Sequence, residues 1–342
     1  LKRYIKIGLL SLLLVIIAVV FIKRSGIYGK RDIVFDRTIG EIEYVKDFKI
    51  GINGIMLYDN DALYFCDKDG NLMKTVKFTD RSIEVYFANN FVFLYDKDLK
   101  KLYQYNDTGD SLGVFKLPSD LYNISYNNRE IVLHLKREDG EDLKLLNQDG
   151  SLSDLYSTVN TILTYDLYES DKFSVAEILK DATGYKTILV MKTGNDKKIK
   201  EFSSEVSLYI NRSKKRTIMA TDKNLYVYEG DKEARKEIPN ISDIMVIDRN
   251  IYLLHSNIIS KYNFKPEEVN KIILSANVNK LTQVSNSLYA YGESDIGGEL
   301  GKKSQFYTRL GTKVDKIEIS GVTLGSLKEG KINLYKISNG RN

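Results

Sequence analysis

Residues 83–117 read IEVYFANNFVFLYDKDLKKLYQYNDTGDSLGVFKL, and that stretch decides the fold. Ile83–Ala88, Phe91–Tyr95, Leu102–Tyr105 and Leu112–Leu117 are short runs rich in aromatic and branched residues, separated by Asn, Asp and Gly. Period-two apolar patterning bounded by turn residues is the mark of half-buried strands. The stretch is therefore a four-stranded meander, with strands a to d. Asn89-Asn90 turns a into b, and Asn106-Asp-Thr-Gly109 turns c into d, with glycine supplying the positive φ such a turn needs.

Both turns recur along the chain. The Asn type falls at Asn53-Gly54, Asn89-Asn90, Asn127-Asn128, Ser170-Asp171, Ser213-Lys214, Asp248-Arg249, Asn286-Ser287 and Glu329-Gly330. The second type falls at Gly40, Gly70, Gly109, Gly150, Gly194, Gly230, Pro266 and Gly311. Successive Asn-type turns lie roughly 35 to 43 residues apart, the length of a four-stranded propeller blade. The opening interval of the second series, Gly40 to Gly70, is shorter, about 30 residues by the same comparison.

An all-β chain is expected, a β-propeller over residues 32–342, and eight turns of each type imply eight blades. Seven blades follow instead if the final hairpin adds to an existing blade. The chain would enter on strands c and d (Asp32–Asp36 and Glu41–Lys46). It would end on strands a and b (Val322–Leu327 and Lys331–Ser338), so that the two ends complete one blade with two strands each. β-Sandwiches need long Greek-key crossovers, and these connections are short.

Residues 1–31 have a different texture. Ile7, Leu9, Leu10, Leu12, Leu13, Leu14, Val15, Ile16, Ile17, Val19, Val20, Phe21 and Ile22 make an uncharged run, flanked by Lys2, Arg3, Lys6, Lys23 and Arg24. As a helix the run spans ~24 Å against a hydrocarbon core of ~30 Å, and the flanking lysines can snorkel. The run is apolar on every face, which is wrong for a soluble amphipathic helix. Lys-Arg-Ser-Gly-Ile-Tyr after it is a poor cleavage site, so a signal peptide fits less well. A single-pass anchor over residues 5–23 is expected, with residues up to 31 as a short linker. A short N-terminal tail of this kind favours an extracytoplasmic propeller, although the flanking charges barely discriminate.

Composition narrows the function. Net charge is +5 with both signs interspersed, which lacks the clustered footprint of a nucleic-acid binder. Cys66 is the only cysteine, so no intramolecular disulfide or cysteine-based zinc site forms. No cofactor is expected. Asp59-Asn60-Asp61 and Asp67-Lys-Asp-Gly-Asn71 have calcium-loop texture, but Gly70 is in phase with the other turns and the ligating Glu is missing. His134 and His255 fall on strands b of blades three and six; they act together only if those blades converge on the axis. Tyr58, Tyr64, Tyr95, Tyr103, Tyr226, Tyr228, Tyr252, Tyr289 and Tyr307 recur at similar blade positions, where packing between sheets explains them better than a sugar-binding surface.

Two segments exceed the repeat length and are the candidate interaction loops. One is Lys180–Tyr185 in the fourth unit, with Lys180, Asp181 and Tyr185. The other is the glycine-rich Gly292–Lys303 in the seventh, with Glu293, Asp295, Glu299, Lys302 and Lys303.

Leu102-Tyr-Gln-Tyr-Asn-Asp-Thr-Gly and Leu143-Lys-Leu-Leu-Asn-Gln-Asp-Gly-Ser-Leu resemble the quinoprotein-like propeller repeat. With the N-terminal run, the chain resembles a Firmicutes family of membrane-anchored propellers catalogued as a domain of unknown function. The chain has no tryptophan. It therefore lacks the tryptophan docking motifs of quinoprotein dehydrogenases and the Trp-Asp pairs of WD repeats. The resemblance implies an architecture and a place at the Gram-positive envelope, not an activity. The functional expectation is a non-enzymatic scaffold for an envelope protein partner. An envelope lyase or hydrolase with its site on the propeller axis, or a ligand-binding sensor, is the alternative.

Overall fold

The computed structural model describes residues 31–78, 82–182, 184–238 and 240–339. The membrane helix expected over residues 5–23 lies outside them. Among the described residues every element is a strand, thirty-two in all, and no helix there is long and apolar enough to cross a membrane. The strands form eight four-stranded antiparallel sheets, giving an eight-bladed β-propeller. Blades 1 to 7 span residues 47–77, 83–116, 120–158, 161–203, 207–237, 241–273 and 280–309, each a simple meander with strand a innermost.

Burial follows position within the blade. Strands b and c are covered on both faces by neighbouring blades, so Ile55–Tyr58 and Val92–Asp96 are buried residue after residue. The outer strand d faces solvent and reads accordingly, as in Lys232-Glu-Ala-Arg-Lys-Glu237. Near-continuous apolar runs are what strands buried on both faces require. The core is not one mass. It is divided into eight clusters, one in each gap between adjacent blades.

Carboxylates reinforce these gaps. Asp166 on strand a of blade 4 accepts from the Arg212 amide of blade 5 at 2.6 Å, and Asp243 of blade 6 accepts from the Leu281 amide of blade 7 at 2.7 Å. Glu141 of blade 3 reaches the Ile162 amide of blade 4 at 2.7 Å. Asp107 of blade 2 takes the Asn53 amide of blade 1 at 2.7 Å. Each satisfies a backbone donor that faces a gap between sheets and has no strand there to pair with.

The repeated c–d turn has a simple cause. Asn106 Oδ1 accepts from the Thr108 and Asp110 amides, while the Gly109 amide donates back to the Asn106 carbonyl. Gly109 has φ +86°, and a Cβ there would sit 2.8 Å from the Phe65 ring of the preceding blade. Glycine is needed twice over, for the conformation and for the close approach.

Closure differs from the expected two-and-two division. The N-terminus contributes one strand, Arg31–Ile39, and the C-terminus contributes three, Lys316–Ser320, Thr323–Lys328 and Lys331–Asn339. Arg31–Ile39 is the outermost strand, paired antiparallel to Lys331–Asn339 from Arg31↔Asn339 to Ile39↔Ile332, with a bulge between Phe35 and Arg37. Glu41–Lys46 is not a strand. Ile42 and Val45 are buried there because they cap the gap between the closing blade and blade 1. Glu329-Gly330 consequently turns strand b into c, and Gly321-Val322 turns a into b. Gly40 and Gly311 lie in the connections from strand d to the next blade, not in c–d turns. The short Gly40–Gly70 interval is thereby explained.

The pairing between the two ends should carry the fold. Ile332, fully buried in the gap between the closing blade and blade 1, should cost roughly 2–5 kcal/mol when changed to Ala, measured by urea denaturation. Removal of residues 331–342 should abolish the cooperative transition. A truncated chain with the full-length midpoint would contradict this closure.

Candidate functional site

Antiparallel meanders put all a–b and c–d turns on one face of the ring, the hairpin face. The b–c turns and the connections between blades lie on the opposite face. The N-terminal strand occupies position d and the C-terminal strand position c, so Arg31 and Asn339 pair at the hairpin face. Both ends of the described chain leave from that side.

The two candidate loops differ from their expected form. Lys180–Tyr185 is the tip of a long b–c hairpin, in which Lys172–Asp181 and Gly184–Thr193 are each ten residues long. The excess residues lengthen the strands and carry Lys180 and Tyr185 outward into solvent on the opposite face. Gly292–Lys303 is not one loop. Asp295–Gly298 within it is strand c of blade 7, buried throughout. Its glycines are there for packing: a Cβ on Gly298 would fall 2.2 Å from the Phe306 ring.

The segment's charged residues therefore separate to the two ends of blade 7. Glu293 is exposed on the opposite face and pairs with Lys313 at 2.6 Å. Asp295 is buried and held by Arg309 at 3.0 Å. Glu299 is buried beside Ser304 at the start of the c–d turn, and Lys302 and Lys303 are exposed on the hairpin face. Lys302 donates to Ser287 Oγ at 2.5 Å.

The histidines do not meet. His134 is buried in blade 3, where Nε2 lies 2.9 Å from Glu141, with Tyr122 and Tyr165 edge-on to the ring. Burial holds its pKa below the ordinary 6.5, against the pull of Glu141. The neutral ring donates from Nε2, so stability from this group is lost as pH falls through 6.5, where the unfolded chain takes the proton more readily. His255 in blade 6 lies 2.9 Å from Ser260 Oγ. Both rings have local partners on their own sheets.

Asp59 and Asp67 serve turns. Asp59 accepts from the Asp61 and Ala62 amides and from Tyr64 Oη at 2.5 Å. Asp67 accepts from the Asp69 and Asn71 amides at 2.9 Å each. Among the described residues no group of three or more His, Cys, Asp or Glu side chains is placed to hold a metal ion. None of the nine recurring tyrosines is exposed, and Tyr95, Tyr226, Tyr228 and Tyr289 are almost wholly buried. Cys66 is also buried, which pushes its thiol up to about 12.

At the axis, strands a of blades 3 to 5 line an open cavity of about 450 Å³ with Asn123, Ser125, Tyr165, Asp166, Tyr209 and Asn211. Across the ring, Lys49 pairs with Glu318 and Lys316 with Asp47, each at 2.7 Å. Burial raises Asp166 to about 6 from the ordinary 3.8, while the Arg212 and Leu167 amides pull the other way. The folded protein therefore binds this proton more tightly than the unfolded chain, and stability falls as pH rises from about 4 to about 6. Asp166→Asn should flatten that fall when urea midpoints are compared across the window. A variant curve parallel to the wild-type curve would remove Asp166 as its source.

No protein-family model and no curated protein matches the chain. Solved structures do match. BamB from Moraxella catarrhalis aligns with a TM-score of 0.59 at 8% identity, over 91% of this chain and 99% of its own. A eukaryotic initiation factor gives 0.59 at 12% identity, over 88% of each chain. The WD40 domain of SCAP from fission yeast gives 0.54 at 11% identity, over 90% of this chain and 98% of its own. What these likenesses establish is the fold: the chain is a β-propeller of the broad kind to which BamB and WD40 domains belong.

Proposed function

We propose that the chain is a membrane-anchored, extracytoplasmic β-propeller that acts as a non-enzymatic protein-interaction scaffold at the bacterial cell envelope. The observation that carries this reading is the exit of both described ends at the hairpin face. If the apolar run Ile7–Ile22 is the anchor, the eight residues from Lys23 to Lys30 extend at most ~30 Å. The hairpin face is then held near the membrane and the opposite face is presented outward. That outward face carries the lengthened Lys180–Tyr185 hairpin, whose Tyr185 is 39% exposed, and the Glu293–Lys313 pair. Protruding loops on a rigid ring are where partner recognition concentrates. The likeness to BamB and to a WD40 domain is consistent with such a scaffold. The two histidines, each partnered within its own blade, offer no support for an enzyme on the axis.

The buried sole cysteine makes a direct test available. Glu293→Cys adds one accessible thiol on the face assigned outward. A membrane-impermeant maleimide should label it in intact cells, with no labelling of the parent chain. Labelling only after lysis would contradict the extracytoplasmic assignment. For the scaffold, mild detergent extraction should recover a reproducible protein partner that is lost when Lys180–Tyr185 is replaced by a two-residue turn. Recovery of no partner would contradict it.

A further inference from the structure

A pocket of about 560 Å³ opens on the hairpin face between blades 4 and 5, within the range of small-ligand sites. Its floor combines Met191 of blade 4 with Arg212, Thr217 and Tyr228 of blade 5, and Thr193 of blade 4 lines it from an exposed position. The blade 5 residues form one row across the sheet, since Arg212 pairs with Thr217 and Thr217 with Tyr228. The rim carries Lys198, Lys214, Lys215 and Lys232 against Asp196 and Glu229.

Arg212 is 8% exposed, so its guanidinium is largely out of water. Nη1 donates to Thr217 Oγ1 at 3.2 Å, and Nη2 donates to the Lys192 carbonyl at 3.2 Å and Thr193 Oγ1 at 2.6 Å. Nε has no acceptor. No carboxylate among the described residues lies within ion-pair distance of this guanidinium. Asp166, which accepts from the Arg212 amide, acts on the guanidinium only from beyond that distance. A buried cation with so distant a counter-charge and an unpaired Nε gains when an anion joins it. Tyr228, 4% exposed, presents a second orphan: its hydroxyl also has no partner. Burial and nearby Glu233 push that phenol well above its ordinary range, so it remains a donor at neutral pH.

The remaining charges strengthen the bias. Lys198 is engaged by the Gly230 carbonyl and by Asp231, and Glu229 is neutralised by Arg216 at 2.8 Å. Lys214, Lys215 and Lys232 are exposed and make no ion pair among the described residues. Asp196 is the one rim carboxylate that is not so neutralised among them. Two unsatisfied donors, the Thr193 hydroxyl and surplus lysines converge on one open pocket, where Thr217 Oγ1 is already paired with Ser174 Oγ at 2.8 Å. An arginine fork set among hydroxyl donors suits a tetrahedral oxyanion.

We propose that this pocket binds a phosphate group, with Arg212 and Tyr228 as its buried donors and Lys214, Lys215 and Lys232 as its rim. The phosphate could be carried by a small phosphorylated solute or by an anionic lipid headgroup. The pocket does not depend on the anchor; only the lipid source draws on the orientation proposed above.

The test is calorimetric titration of the full chain, in a neutral phosphate-free detergent, with inorganic phosphate and with glycerol 1-phosphate. Saturable binding is expected. Tyr228→Phe should weaken it roughly fivefold to tenfold without lowering the melting temperature, because the hydroxyl it removes makes no bond. Arg212→Gln should abolish binding. Should that variant fail to fold, Tyr228→Phe and Lys215→Gln carry the test. No saturable binding by the parent chain, or unchanged affinity in Tyr228→Phe and Lys215→Gln, would overturn the proposal. Once binding is established, repeating the phosphate titration with phosphatidylglycerol or phosphatidylcholine vesicles distinguishes the sources. Competition by phosphatidylglycerol alone assigns a headgroup, and no competition assigns a soluble ligand; both support the phosphate site.

Discussion

Everything in this molecule depends on the pairing of Arg31–Ile39 with Lys331–Asn339, the one ladder that joins the two ends of the chain. Seven blades are local meanders that each close on themselves within about forty residues, as blade-sized repeats do. The eighth cannot form until the whole chain has been made. Without it, the gaps flanking the closing blade lose a wall, and the Ile39–Leu334 and Ile33–Ile337 clusters are opened to water. The ring stacks every blade on two neighbours, and here the last blade is completed by one outer strand.

The same geometry explains the burial pattern. Because every sheet stacks on two neighbours, strand b is buried on both faces, as at Val92–Tyr95, while strand d is released to the solvent. Tyrosine and phenylalanine fill the space that tryptophan fills elsewhere, as where Phe202 meets Tyr226 with ring centres 4.8 Å apart. Carboxylates then tie blade to blade through backbone amides, and Asp166 is held in place this way at the cost of a raised pKa.

Local turn chemistry was readable from the residues alone. Asn106-Asp-Thr-Gly109 states its own conformation, and its recurrence gives the blade length and the count of eight. Two places resisted. The outer strand of the closing blade finds its partner at the far end of the chain, and nothing near residue 31 encodes that pairing. In blade 7, Gly297 and Gly298 read as loop residues, yet they are strand residues whose missing Cβ atoms make room for Phe306 and Tyr307. Arg212 was invisible for a related reason. In Ile210-Asn-Arg-Ser-Lys it borders an ordinary a–b turn, and only the packing of blade 4 against it creates a buried guanidinium with an unpaired Nε. The Lys180–Tyr185 insertion was visible as extra length, but length could not say that it would extend two strands.

The proposed function rests on which face each feature occupies. The ends leave from the hairpin face, where the pocket between blades 4 and 5 also opens, and the lengthened blade 4 hairpin projects from the other side. That division stands only if the ring is closed as one strand plus three. Native-state hydrogen exchange is the most direct measurement of it. The account predicts that the amides of Arg31–Ile39 directed at Lys331–Asn339 exchange as slowly as those of the outer strands of blades 1 to 7. Fast exchange across Arg31–Ile39, with the remaining blades protected, would contradict it.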